Sequence, residues 1–187
     1  MTKIYNSAAV IIPPKKIWPP IERIRIKYDT HVGRWMPHIT LLYPFKPLNE
    51  FAALKNKFMN ITANISPFEI SLDTFKHFKH RNQHYTLWLN PEPNEPIIQL
   101  QKALNMMVPE CGEITNFKGG FKPHLSVGQF CQENKFRKQK AFLQKEWIPI
   151  HFMVKEICLI WREPHKDSRF KIEQRVPLSY TICKNKE

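Results

Sequence analysis

The sequence predicts an α+β fold in which short strands and amphipathic helices alternate and the second half repeats the outline of the first. Two observations carry this expectation. Runs rich in Val, Ile, Thr and aromatic residues are bounded by prolines or polar clusters, as strands are. Between them, apolar residues recur at helical spacing behind start signals such as proline and asparagine. At 187 residues, with 42% hydrophobic and 12% aromatic side chains, the chain can build one sizeable core or two small lobes that share one. Its composition is not that of a disordered or collagen-like chain. A single domain over residues 1–187, made of two similar lobes, is expected.

In chain order, residues 7–12 (SAAVII) form a short β-branched run that ends at Pro13-Pro14, so a buried strand is expected. Pro19-Pro20 stand where a helix can begin, and Ile21, Ile24 and Tyr28 follow at helical spacing. Residues 38–45 (HITLLYPF) read as a strand, after which Asn49 is placed to cap a helix carrying Phe51, Leu54, Lys55 and Phe58. The runs at 67–78 and 84–90, separated by the polar KHRNQ, predict a hairpin. Ile97, Leu100, Leu104 and Met107 mark a helix that starts at Pro96. The outline then recurs: PHLSVGQF at 123–130 reads as a strand, and 133–147 as a helix with Phe136, Lys140 and Leu143 on one face. Residues 150–161 and 169–176 supply two closing strands around the loop REPHKDS.

The 29 Lys and Arg against 16 Asp and Glu give a net charge of +13, and the pI is near 9.7. Such a field attracts polyanions: RNA, DNA or an anionic surface. Cys111, Cys131, Cys158 and Cys183 lie far apart without a C-x-x-C pair, which predicts free thiols in a reducing compartment. The apolar run from Ala8 to Ile12 is too short for a secretion signal or a membrane-spanning helix. A cytoplasmic protein, or a nuclear one, with no membrane association and monomeric by default, is therefore expected.

Chemistry enters through a duplicated motif. Pro37-His38-Ile39-Thr40-Leu41 and Pro123-His124-Leu125-Ser126-Val127 share the pattern P-H-φ-[T/S]-φ, with φ apolar. In a strand, residues i and i+2 point to one face, so each histidine shares a face with its own hydroxyl. Two such strands side by side would present two imidazoles and two hydroxyls to one cleft. Phosphodiester cleavage needs a base for the nucleophile and an acid for the leaving oxygen, and two histidines can divide that work near neutral pH. The hydroxyls of Thr40 and Ser126 can donate to the non-bridging phosphate oxygens. The quartet calls for no metal and no cofactor. A lone strand histidine is usually a satisfied core residue, but its repetition with the same proline and the same flanks favours function.

With these residues the chain resembles the 2H phosphoesterase superfamily, which includes LigT-like RNA 2′,5′-ligases and 2′,3′-cyclic nucleotide phosphodiesterases. HITL at 38–41 and HLSV at 124–127 match its paired signatures. HYTLWLNPEP at 84–93 is similar to the strand after its first motif, and LIWREP at 159–164 to its late strand. The resemblance implies a bilobal fold of two antiparallel sheets with outer helices and a central catalytic cleft. It also implies a metal-independent phosphodiesterase whose substrate is RNA or a nucleotide, with a 2′,3′-cyclic phosphate or a 2′,5′ linkage at the reacting end. His124 is expected as the base and His38 as the acid, an assignment that substrate orientation can reverse.

Near the motifs, Tyr43, Phe45, Phe130 and Trp161 are candidates to stack on a base, and Lys122 and Arg162 to bind phosphate oxygens. Core packing competes for each ring, and a solvated surface charge for each cation. His77, His80 and His84 could gather a zinc ion, but their spacing fits no zinc motif, and exposed basic-loop histidines are the better expectation. A basic RNA-binding module without turnover is the alternative function; it explains the charge but leaves the duplicated motif as coincidence. Gly119-Gly120 lacks the pattern of a phosphate-binding glycine loop.

Overall fold

The computed structural model describes residues 3–115 and 119–178. These residues form two four-stranded antiparallel sheets and four helices. The strands are β1 (Ser7–Ile11), β2 (Ile39–Leu42), β3 (Phe68–Lys79), β4 (His84–Glu92), β5 (Leu125–Cys131), β6 (Ile150–Val154), β7 (Glu156–Trp161) and β8 (Lys171–Pro177). The helices are α1 (Trp18–Tyr28), α2 (Phe51–Thr62), α3 (Glu95–Met107) and α4 (Glu133–Glu146). One sheet runs β2-β1-β7-β8 and the other β5-β4-β3-β6. The edge strands β2 and β5 touch, so the two copies of the motif meet where the sheets meet.

Each expected element is present, with instructive differences. The run at 150–161 is two strands rather than one, broken at the exposed Lys155 and assigned to different sheets. The burial patterns give the reason: β6 alternates because one of its faces is exposed, whereas β7 is buried throughout its middle because the main core covers one face of its sheet and the smaller cluster the other. The strand expected at 38–45 stops at Leu42, ahead of Pro44, which has no N–H to offer a ladder. Asn49 does not cap α2; it sits inside a 3-10 turn, Leu48–Glu50, that leads into the helix without a side-chain cap. The hairpin β3–β4 forms as expected, and Asn82 and Gln83 turn its tip at positive φ.

One hydrophobic core draws on both sheets and all four helices: Ile21 and Ile24 of α1, Phe58 of α2, Leu100 of α3 and Phe136 of α4 pack with Ile39 and Leu41 of β2 and with Leu87 and Leu89 of β4. A smaller cluster of Ala8, Val10, Cys158, Ile160 and Phe170 covers the other face of the first sheet. Cys111 and Cys158 are buried free thiols and Cys131 is an exposed one, while Cys183 lies outside the described residues. No helix among the described residues is long and apolar enough to cross a membrane.

Gly128 is the point where α1 seats on β5. A Cβ there would lie 2.7 Å from Tyr28 Cβ and 3.2 Å from the Tyr28 carbonyl oxygen, contacts that only movement of the helix can relieve. Gly128→Ala is therefore expected to lower stability by roughly 1–3 kcal/mol, the usual cost of overpacking. Chemical denaturation of the wild type and the variant measures it.

Candidate active site

His38 and His124 each sit one residue ahead of a strand, not within it as the pattern suggested, and both imidazoles are partly exposed. Their local geometry is the same. His38 Nδ1 donates to the Met36 carbonyl at 2.7 Å, and His124 Nδ1 donates to the Lys122 carbonyl at 2.7 Å. In both cases the acceptor is two residues back, across the proline of the motif. Proline fixes its own φ and holds the preceding residue extended, which places that carbonyl beside the ring. A carbonyl can only accept, so Nδ1 carries the proton in the neutral tautomer and the Nε2 lone pair is left for chemistry.

The hydroxyls follow the strand register. Thr40 lies opposite Val10 on β1, and Ser126 opposite Trp88 on β4. Both residues are half-buried, and neither hydroxyl has a hydrogen-bond partner among the described residues, which leaves each free to donate.

The two imidazoles differ in their surroundings. His38 stacks on Trp35 at 4.6 Å between ring centroids and 16° between planes. Trp35 in turn stacks on Phe170 at 3.7 Å, and the Arg162 guanidinium lies 5.6 Å from the Phe170 ring centre. Behind this pile stands Arg25, only 2% exposed, whose guanidinium contacts the Asp29 and Glu22 carboxylates and donates to the Trp35 carbonyl at 2.9 Å. The segment is also tied to β5: the Thr30 N–H and hydroxyl both donate to the Gln129 side-chain oxygen, at 2.8 and 3.1 Å. His124 is flanked by Phe78 at 5.0 Å and Trp88 at 5.8 Å.

Burial pushes the His38 imidazole down to about 4, with the Arg25 and His124 charges adding to the depression and the Met36 carbonyl and Asp29 opposing it. Burial also lowers His124, opposed by its bond to the Lys122 carbonyl. Since His124 is among the charges that depress His38, a proton on one ring resists a proton on the other.

Not every expected substrate contact is near this pair. Phe45 is 0% exposed and packs against Phe51 and Phe58 in the main core. Phe130 is 8% exposed and packs against Tyr28 and Phe136, on the face of its sheet opposite Ser126. Trp161 leans on the main core while its neighbour Ile160 belongs to the smaller cluster, so its ring faces away from His38; its N–H donates to Glu173 at 3.2 Å. These three expectations are corrected: Phe45 lies past the end of β2 in the core, an irregular register of β5 against β4 between Ser126 and Gly128 turns Phe130 to the core face, and Trp161 follows the alternation of β7. Arg162 donates to the Glu163 and His165 carbonyls, lies over Phe170 behind Trp35, and its charge acts on Tyr43 at the border of the site.

Tyr43 does border the site, edge-on to Trp35, with its hydroxyl donating to the Tyr5 carbonyl at 3.1 Å. Lys122 holds His124 through its carbonyl while its side chain is exposed. Of the three clustered histidines, His77 packs against Phe136, His80 meets the Thr86 hydroxyl at 2.9 Å and His84 lies 3.3 Å from Cys131 Sγ. No group of three metal-ligating side chains converges among the described residues. Trp35, Arg25, Phe78 and Trp88 were not singled out from the sequence; the only hint was Trp35 standing just ahead of the first motif.

The family model of the 2′-5′ RNA ligase superfamily matches residues 13–166. Over 125 residues the chain is 30% identical to "Putative phosphoesterase GK0864" of Geobacillus kaustophilus, a match covering 64% of this chain and 66% of that protein, just under two thirds of its length. It is 23% identical over 161 residues to "Putative phosphoesterase BH1439" of Halalkalibacterium halodurans, covering 84% and 89%. Among solved structures, TT0787 of Thermus thermophilus superposes with a TM-score of 0.63 at 17% identity, covering 92% of this chain and 97% of that one. E. coli LigT complexed with ATP superposes with a TM-score of 0.62 at 17% identity, covering 96% and 100%. The two structures share the fold described above.

Proposed function

This chain belongs to the 2′-5′ RNA ligase superfamily, and from that premise we propose that it is a phosphodiesterase of RNA or oligonucleotide ends, using His38 and His124 as an acid–base pair. The observation that carries this reading is the duplicated ring geometry, in which two Nε2 atoms are held free at the junction of the sheets. Relatives named as phosphoesterases and nucleotide-bound LigT support it, as does the charge of +13.

In this mechanism one neutral imidazole takes a proton from water as the water oxygen attacks phosphorus. The other, protonated imidazole gives its proton to the leaving ribose oxygen as the P–O bond breaks. Thr40 and Ser126 donate to the non-bridging oxygens, whose charge grows in the transition state. The Arg25 cation lies near His38, whereas burial alone lowers His124. The pair carries one proton, and substrate orientation decides which ring holds it as the acid and which acts as the base, so the roles given to His124 and His38 from the motifs can exchange. No metal takes part in this scheme. The substrate is a 2′,3′-cyclic phosphate end or a 2′,5′ linkage.

The pH dependence tests the scheme. The reactive form carries one proton on the pair, and burial holds both imidazoles below the ordinary 6.5, His38 at about 4. The expected profile of kcat/KM in EDTA is a bell whose maximum lies on the acid side of 6.5 and whose alkaline arm is already falling at 6.5. A bound phosphate anion raises both values, so the kcat profile moves toward neutrality. Folding follows the same protons with a definite sign: both rings are neutral in the folded state down to below 6.5, unfolding takes up protons there, and stability declines as pH falls from 6.5 toward 4. A kcat/KM that climbs steadily into the alkaline range contradicts the scheme.

A further inference from the structure

A cavity of about 520 Å³ opens along β3 and β4 beside the candidate active site, within the range of about 300–1,000 Å³ that takes small ligands. Lys76, Phe78 and Trp88 line it from the two strands, Phe121 and Lys122 from the segment ahead of β5, and Lys140 from α4. His124 does not line it, yet its ring packs against two side chains that do, Phe78 and Trp88. The cavity therefore begins one side chain away from the reacting imidazole.

Its chemistry is that of a nucleotide site. Phe78 is half-buried with one face stacked on Trp88 at 5.1 Å, and Phe121 is a second half-buried ring on the same wall. Three lysines surround these rings. The neighbouring carboxylate, Glu92, is already engaged by the Asn90 side chain and lies 3.8 Å from Lys76. Trp88 is 5% exposed, and its buried indole N–H has no acceptor among the described residues. A buried donor without a partner is costly and rare, and a ligand oxygen would satisfy it.

We infer that this cavity is a subsite for a second nucleotide of the substrate, stacking its base on the Phe78 and Phe121 wall and holding its phosphate with Lys76, Lys122 and Lys140. The inference rests on the reading of the histidine pair as a phosphodiesterase site, and it narrows the substrate to an oligonucleotide. A cyclic mononucleotide brings one phosphate, which the histidines and hydroxyls occupy, and leaves the lysines without an anion.

The test is calorimetric titration in EDTA with two product-like ligands, adenosine 3′-phosphate and the dinucleotide ApAp, which ends in the same 3′-phosphate. ApAp is expected to bind between roughly 5- and 150-fold more tightly, the worth of one stacked base. In Phe78→Ala, and separately in the exposed pair Lys76→Gln/Lys122→Gln, that advantage is expected to shrink toward unity. The lysine variant keeps the test intact if Phe78→Ala does not fold. Equal affinity of the wild type for both ligands overturns the subsite while sparing the phosphodiesterase reading. An advantage that persists in both variants also overturns it. Failure to bind either ligand overturns both readings.

Discussion

His124→Ala and His38→Ala are each expected to lower kcat by at least roughly 10²-fold, the lower end of what a positioned acid or base contributes. Each removes an Nε2 that no nearby group among the described residues replaces. His124 is flanked by Phe78 and Trp88, which cannot carry a proton, and His38 is backed by Trp35 and by Arg25, which does not release one. The two rings act on the same bond, so the double variant is expected to lose little more than either single one. Both rings are partly exposed, so folding and RNA binding should survive. Rate measurements under saturating substrate, alongside a binding isotherm for each variant, check this. A basic RNA-binding module would show unchanged binding and no turnover to lose.

Arg25→Met is expected to cost about 3–5 kcal/mol of stability, because it leaves Asp29, whose side chain is 4% exposed, as a buried charge without its partner. Asp29 retains the His31 N–H at 2.8 Å, too little to replace a guanidinium. The double variant Arg25→Met/Asp29→Leu removes both charges and should recover much of the loss. Arg25 is a positioning residue as well as a structural one, since it donates to the carbonyl of Trp35, the ring on which His38 stacks. Its removal also takes away a positive charge that depresses His38, so the His38 pKa should rise from about 4. Urea denaturation measures the first effect and NMR titration of the His38 ring the second. A His38 titration unchanged in Arg25→Met, in which Asp29 keeps its charge, would reduce Arg25 to a purely structural role.

The fold was legible where periodicity and punctuation agreed. The helix from Pro96 and the hairpin 67–90 announce themselves through spacing and a polar turn, and both are present. The division of 150–161 into β6 and β7 was not legible, because an edge strand and a central strand of different sheets read as one apolar run when only Lys155 separates them. The two histidines stood out because the motif occurs twice, and the proline in each copy has a role that the sequence alone does not reveal: it sets the carbonyl that accepts from Nδ1.

The surrounding side chains were harder. Nearness in sequence nominates Phe45, Phe130 and Trp161, but Phe45 lies past the end of β2 in the core, an irregular β4–β5 register turns Phe130 inward, and Trp161 leans on the main core. Trp88 and Phe78 come from a different hairpin and reach His124 only because β4 pairs with β5. Arg25 looks like any surface cation of an amphipathic helix, and its burial depends on a loop folding back over it.

On the reading proposed above, this chain cleaves phosphodiesters with two histidines and no metal. Its most direct test is turnover in EDTA of RNA ending in a 2′,3′-cyclic phosphate and of a 2′,5′-linked oligoadenylate. The wild type is expected to cleave at least one of them, with His38→Ala and His124→Ala reduced by at least roughly 10²-fold on the same substrate. A wild type that binds RNA but cleaves neither, or cleaves only when a divalent metal is added, would contradict it.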